Sequence, residues 1–139
     1  LTEQTIRGEW MWTGDIATWD KEGYVFIVDR AKDMIISGGE NIYSTQVEAA
    51  IHQHPAVLES AVFGIPDDTW GEAVKAVVVL KPGQTATEEE IIAEASKHLA
   101  SYQKPKSVDF VEALPKAPTG KILKRDLRDP YWQEETRQV

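Results

Sequence analysis

A small α+β fold, and not a doubly wound sheet, is what this chain predicts. Strand-like and helix-like stretches mix at irregular spacing. Two of the strongest strand runs, Val57 to Phe63 and Ala73 to Leu80, follow one another with no helical pattern between them. Helical periodicity lies before and after that pair, so the α-β alternation of a parallel wound sheet is missing.

The first elements are Ile16 to Trp19 and Tyr24 to Val28, β-branched or aromatic runs joined by Asp20-Lys21-Glu22-Gly23, which reads as a hairpin. Arg30-Ala31-Lys32-Asp33 interrupts the apolar pattern, and we place a domain boundary at Ala31 to Asp33. Met34-Ile35-Ile36 follows, broken by Gly38-Gly39. Thr45 and Glu48 have capping-box spacing, with Val47, Ala50 and Ile51 on one face of the helix they open and His54-Pro55 at its end. The two core strands come next, separated by the loop from Gly64 to Gly71 and closed by Pro82-Gly83. Thr87 and Glu90 open a second helix, where Ile91, Ile92, Ala95 and Leu99 form a core-facing stripe. Val108 to Val111 is a short strand, and Ile122 to Arg128 a last helical turn or two that Pro130 should stop.

Composition narrows the function. At 139 residues with 42% hydrophobic content, the chain can bury one modest core. Fifteen basic against 23 acidic residues give a formal charge of −8, which disfavours nucleic acid as the main partner. With no cysteine and only three histidines, disulfides and thiolate metal sites are excluded and a zinc site is disfavoured. No run approaches the roughly 20 apolar residues that span a bilayer, and a cytoplasmic setting is compatible with this composition. The start at Leu1-Thr2-Glu3 has no initiator methionine, which suggests a piece of a longer chain.

Chemistry concentrates near the C-terminus. In Pro115-Lys116-Ala117-Pro118-Thr119-Gly120-Lys121-Ile122, two prolines stiffen a loop and one glycine frees it locally, so Lys121 can be held where a phosphate or carboxylate reacts. Taken alone, Gly120-Lys121 also suits a plain surface loop. A phosphate-loop reading fails, because Pro115 stands where the first glycine belongs and Ile122 where Ser or Thr belongs. Asp15, just after Gly14, can offer both oxygens to vicinal hydroxyls, and Arg30 adds a forked guanidinium. Gly38-Gly39 is either a hairpin turn or a place where a thin ligand lies against bare backbone.

In their order, Trp12-Thr13-Gly14-Asp15-Ile16-Ala17, the run from Tyr24 to Tyr43 containing Ser37-Gly38-Gly39-Glu40-Asn41, and the run from Leu114 to Arg125 resemble the adenylate-forming superfamily. That superfamily contains acyl-coenzyme A synthetases, luciferases and the adenylation domains of peptide synthetases. The likeness runs from Trp12 to Trp132 and is closest in wording to bacterial medium- or long-chain acyl-coenzyme A synthetases, through Ile36-Ser37-Gly38-Gly39-Glu40-Asn41 and Leu127-Arg128-Asp129-Pro130-Tyr131-Trp132.

The resemblance implies that residues 1–31 are the tail of a large N-terminal domain, a nucleotide-binding hairpin, and 32–139 a small mobile C-terminal domain with a short mixed sheet flanked by helices. It implies an ATP-dependent ligase in which a carboxylic or fatty acid first becomes an acyl adenylate and is then passed to coenzyme A. Lys121 would be the catalytic cation. Asp15, Ile27 and Arg30 would hold the nucleotide, Lys32 would be the hinge, and Gly38, Gly39, Glu40 and Asn41 would line the pantetheine path. Trp70, Lys104 and Lys106 would meet the nucleotide end of coenzyme A. Magnesium bound with ATP would find its ligands, as would the acyl group its pocket, in the domain upstream of Leu1, so this piece alone should not catalyse the first step. Ser44 and Gln46 replace a proline and a glutamate common in relatives, which should loosen the start of the first helix. Two alternatives stand beside this: a peptide-synthetase-type adenylation domain that delivers to a carrier protein, and a non-catalytic α+β interaction module.

Overall fold

A computed structural model of the chain describes residues 6–7, 10–11 and 13–132; Trp12 of the first motif, Leu1 to Glu3 and the tail after Trp132 lie outside the described residues. Two short strands, β1 (Ile6–Arg7) and β2 (Trp10–Met11), pair antiparallel ahead of the expected hairpin. That hairpin is β3 (Asp15–Trp19) and β4 (Val25–Arg30), in register from Trp19 opposite Val25 to Asp15 opposite Arg30, with an irregularity at Ile16/Ala17. Asp20 shapes its turn by accepting from the backbone N–H groups of Glu22 and Tyr24 at 2.9 and 3.0 Å.

Beyond the joint, β5 (Ile35–Ser37) and β6 (Glu40–Ile42) form a tight hairpin around Gly38 and Gly39. Their φ angles of 59° and 83° are both left-handed, the backbone a two-residue hairpin turn requires and one that a side chain resists. Helix α1 (Ser44–Ile51) follows. It ends at Ile51, earlier than His54-Pro55 suggested, and the expected capping box does not form: the N-cap is Tyr43, with no side-chain hydrogen bond. Glu48 is drawn elsewhere, accepting from the Val62 N–H at 3.1 Å and pairing with Lys124, because a half-buried carboxylate gains more from a cation and a strand amide than from its own helix end.

The centre is a long antiparallel ribbon, β7 (Val57–Asp67) with β8 (Gly71–Leu80). Most of the loop read between Gly64 and Gly71 is strand, with the turn confined to Asp68, Thr69 and Trp70. Asp67 permits this by accepting from the N–H groups of Thr69 and Trp70, both at 2.9 Å, which closes the turn without more chain. Helix α2 (Glu88–Ser96) has the predicted cap, Thr87 Oγ1 accepting from Glu90 N–H at 3.2 Å, and three glutamates in its first turn complement the helix dipole. Strand β9 (Ser107–Phe110) pairs parallel to β8, so the sheet is mixed, in the order β7-β8-β9. Helix α3 (Lys124–Arg128) ends before Pro130 as expected, though it starts two residues later than Ile122, and a 3₁₀ turn from Asp129 to Trp132 follows it. Proline tolerates the start of such a turn, where no donor is needed.

Both faces of the ribbon are covered. On one, Ile35, Ile42, Val47, Ile51, Val62, Val74, Val78, Ile91 and Val108 bring β5, β6, α1, α2 and the sheet together. On the other, Ala61, Phe63, Val77, Val79 and Leu114 pack with Ile122 and Leu127. Among the described residues no helix is long and apolar enough to cross a membrane.

The β3–β4 hairpin has no such cover: Trp19, Tyr24, Val25, Phe26 and Ile27 are all exposed, Trp19 by 77%. Hydrogen exchange on a verified monomer should therefore show amides of β3 and β4 exchanging well before those of Ala73 to Leu80. Equal protection would place the domain boundary elsewhere.

Candidate functional site

The loop carrying Lys121 is a small hairpin built from its own backbone. Leu123 N–H donates to the Pro115 carbonyl, Ala117 N–H to that of Lys121, and Gly120 N–H to that of Ala117, each at 2.8 Å. Gly120 has φ of 88°, which turns the chain sharply just before the lysine. Buried Leu114 on one arm and Ile122 on the other anchor the loop to Phe63, Val77 and Val79. Lys121 is exposed, and its Nζ has no hydrogen-bond or ion-pair partner among the described residues. Its cationic neighbours differ: Lys116 pairs with Glu59, Lys124 with Glu48, and Arg128 with Asp33.

Asp15 and Arg30, each expected to contact a nucleotide, pair with one another at the surface. They face each other across β3 and β4, with Arg30 Nε 3.3 Å from Asp15 Oδ1. Ile27 lies on the same hairpin and is 69% exposed. No hydrogen bond or ion pair joins Lys121 to Asp15 or Arg30.

A second group forms around the glycine turn. Gly38 N–H donates to the Trp70 carbonyl at 2.8 Å, and a Cβ at Gly38 would stand only 2.8 Å from Cε3 of that indole. Above the ring sits Lys106 Nζ, 5.3 Å from its centroid, a cation–π contact. Lys106 N–H donates to the Val74 carbonyl at 2.8 Å, so the lysine is fixed to the sheet. Three residues far apart in sequence are thus stacked as glycine, indole and ammonium. Gly39 opens outward, with nothing within 4 Å of where its Cβ would be. Glu40 and Asn41 are exposed on β6, and Lys104 is half-buried beside buried Pro105. This arrangement can offer a bare backbone edge beside a flat ring and a positive charge.

Sequence reasoning missed the residues that hold these groups. Lys124 Nζ donates to Ser44 Oγ at 2.8 Å as well as pairing with Glu48, which ties α3 to the start of α1. Ser44, taken as a loosening substitution, is fully buried in this contact. Gln46, the other departure, accepts from Gln103 Nε2 at 3.1 Å. The available signal was the spacing of Lys124 and Arg128, four apart and hence on one face of α3. Among the described residues, no three His, Asp or Glu side chains converge to hold a metal ion.

Residues 46–121 match the family described as AMP-binding enzyme C-terminal domain. The chain is 42% identical to a fatty acid–[acyl-carrier-protein] ligase of Streptomyces coeruleorubidus over 99% of its own length and 27% of that protein's. It is 48% identical to a long-chain-fatty-acid–CoA ligase of Mycobacterium tuberculosis over 94% of its length and 26% of the relative's. The chain thus spans about a quarter of the curated relatives it matches. Among solved structures, ATP-bound MatB from Rhodopseudomonas palustris superposes with a TM-score of 0.86 at 40% identity, covering 94% of this chain and 26% of that one. The apo form of MatB, at the same identity and coverage, gives 0.73.

The stack generates a comparison of neighbouring glycines. Gly39→Ala meets only the left-handed backbone and should destabilise by about 1–2 kcal/mol. Gly38→Ala adds the indole clash and should cost measurably more in denaturant unfolding, unless Trp70 moves aside, which a change in tryptophan emission would report.

Proposed function

The chain belongs to the AMP-binding enzyme C-terminal domain family, and from that premise we propose that it is the C-terminal part of an ATP-dependent, AMP-forming acid–CoA ligase. Residues 1–31 end the large adenylation domain and 32–139 form the small mobile domain, with Lys32 between them. The observation that carries this reading is Lys121, exposed at the tip of a hydrogen-bonded loop with no ion-pair partner among the described residues, while Lys116 on the same loop pairs with Glu59 and Lys124 just after it with Glu48. A solvated loop needs no such rigidity; a residue that must meet an anion from outside does.

In the first step a carboxylate oxygen of the acid attacks the α-phosphorus of ATP, and pyrophosphate leaves. Two anions approach, and Lys121 offsets their repulsion where charge accumulates. Asp15 accepts from the ribose hydroxyls, Arg30 steadies both Asp15 and the nucleotide, and Ile27 packs beside it. Magnesium accompanying ATP takes its ligands from the upstream domain. In the second step the coenzyme A thiolate attacks the acyl carbonyl and AMP leaves. Gly38 and Gly39, with Glu40 and Asn41 beside them, pass the pantetheine arm, while Trp70, Lys104 and Lys106 receive the nucleotide end. The open space at Gly39 and the ammonium above Trp70 support this assignment. The acid is a carboxylic acid, which in the Mycobacterium tuberculosis relative is a long-chain fatty acid. A cytoplasmic setting, where ATP and coenzyme A are supplied, completes the reading.

A second reading keeps the first step and changes the acceptor to the thiol of a carrier protein, as the name of the Streptomyces coeruleorubidus relative favours. Incubating the full-length ligase with acid, ATP and either acceptor separates the two.

In that full-length ligase, Lys121→Ala should slow acyl-adenylate formation by about a hundredfold to a thousandfold or more. Thioester formation from presynthesised acyl adenylate should be nearly spared, because domain rotation has withdrawn the lysine before the thiol attacks. Equal loss in both halves would refute the alternation, and no loss in either would return Lys121 to an ordinary surface residue.

Gly39→Trp should do the reverse, blocking thioester formation while pyrophosphate release continues. Separate assays of the two products check this; parallel loss would remove Gly39 from the thiol path.

A further inference from the structure

Arg128, at the end of α3, reaches back to the joint itself. Its Nη1 donates to the Lys32 carbonyl at 3.2 Å and lies 3.3 Å from Asp33 Oδ1. The Arg128 side chain is only 11% exposed, so it is held by packing as well as charge. Other hydrogen bonds cross Lys32, among them those from the N–H groups of Asp33 and Met34 to the Arg30 carbonyl at 3.0 and 3.1 Å.

Rotation at Lys32 treats these two sets differently. The Lys32 carbonyl lies beyond both rotatable backbone bonds of that residue and is coplanar with the Asp33 amide. It therefore travels with Asp33 and everything after it. The Arg128 contacts lie wholly on the moving side and survive the turn. The bonds to the Arg30 carbonyl span the axis and have to break.

We infer that Arg128 is a positioning residue that rivets the Lys32 peptide and Asp33 to α3, confining domain rotation to Lys32 and delivering it to the Lys121 loop without slack. This rests on the reading of Lys32 as the pivot and Lys121 as the first-step cation. Without the rivet, the segment between Lys32 and buried Ile35 becomes a second soft joint, and Lys121 samples a wider range of positions. Adenylation demands one position, and a misplacement on the order of 1 Å can cost about a hundredfold.

The test uses the full-length ligase carrying Arg128→Ala. The kcat of acyl-adenylate formation should fall tenfold or more. KM for ATP should not change, since Asp15 and Arg30 lie on the other side of the pivot. Limited trypsin digestion should cut after Lys32 several-fold faster, while exchange of the β7 and β8 amides stays as in the parent. Arg128→Lys, which keeps the charge but not the fork, should recover part of the rate. Unchanged cleavage and unchanged kcat overturn the inference, and so does a rise in β7 and β8 exchange that keeps pace with cleavage, because Arg128 would then only support the fold. If the alanine variant does not fold, Asp33→Asn is read by the same criteria. Lys121→Ala run in parallel separates the two failures. A normal rate for it sinks the underlying mechanism, whereas a crippled Lys121→Ala beside a wild-type Arg128→Ala sinks only the rivet.

Discussion

Everything in this small domain hangs on the β7–β8 ribbon, an antiparallel pair so apolar that it must be covered on both sides. Eight consecutive residues from Glu72 to Val79 are buried, and an unbroken buried stretch of that kind cannot face water on either surface. One face takes the helices and the β5–β6 hairpin. The other takes the loop from Leu114 to Ile122 and the helix after it. The ribbon also supplies main-chain acceptors at its edges and ends, Val74 for Lys106, Trp70 for Gly38 and Gly64 for the Trp132 indole at 2.9 Å. The two functional groups are thereby fixed relative to one another by a single rigid element.

Charge is handled by a similar economy. A chain with net charge of −8 repels anions at long range, and screening limits that repulsion to roughly 8–10 Å at ordinary ionic strength. Within that distance, local placement decides. Lys75 lies buried in the sheet, paired with Asp109 at 3.0 Å and set near the Tyr131 ring, and so contributes to structure. Lys106 and Lys121 are held where they can face a ligand.

Much of this was legible in the sequence. Period and capping chemistry located α2, because Thr87 and Glu90 lie at a surface helix start where nothing competes for them. The same reasoning failed at Thr45 and Glu48, where a tertiary partner, Lys124, captured the glutamate from far along the chain. The stretch from Gly64 to Gly71 looked like a loop, since glycine, proline and aspartates crowd it, yet Asp67 used its side chain to tighten the turn and returned most of those residues to strand. At the candidate site, local motifs named Asp15, Arg30, Gly38 and Lys121, and the family resemblance added Trp70 and Lys106. Their supports, Ser44, Glu48, Lys124, Asp33 and Arg128, carry no local motif, because what defines them is a contact made across the fold.

The parallel pairing of β8 with β9 has a consequence for how the protein is made. Parallel neighbours cannot be joined by a tight turn, so β9 reaches its place only after the whole α2 crossover has been synthesised and folded across the sheet. The loop from Leu114 to Ile122 follows β9, and the Trp132 indole that bonds to Gly64 comes later still. On the ribosome, the β7–β8 ribbon therefore emerges with one apolar face still waiting for its cover, the exposed interval in which chaperones or aggregation compete for a nascent chain. Vectorial synthesis seats the segment carrying Lys121 only after β9, so a chain released before that point would hold the sheet and lack this loop.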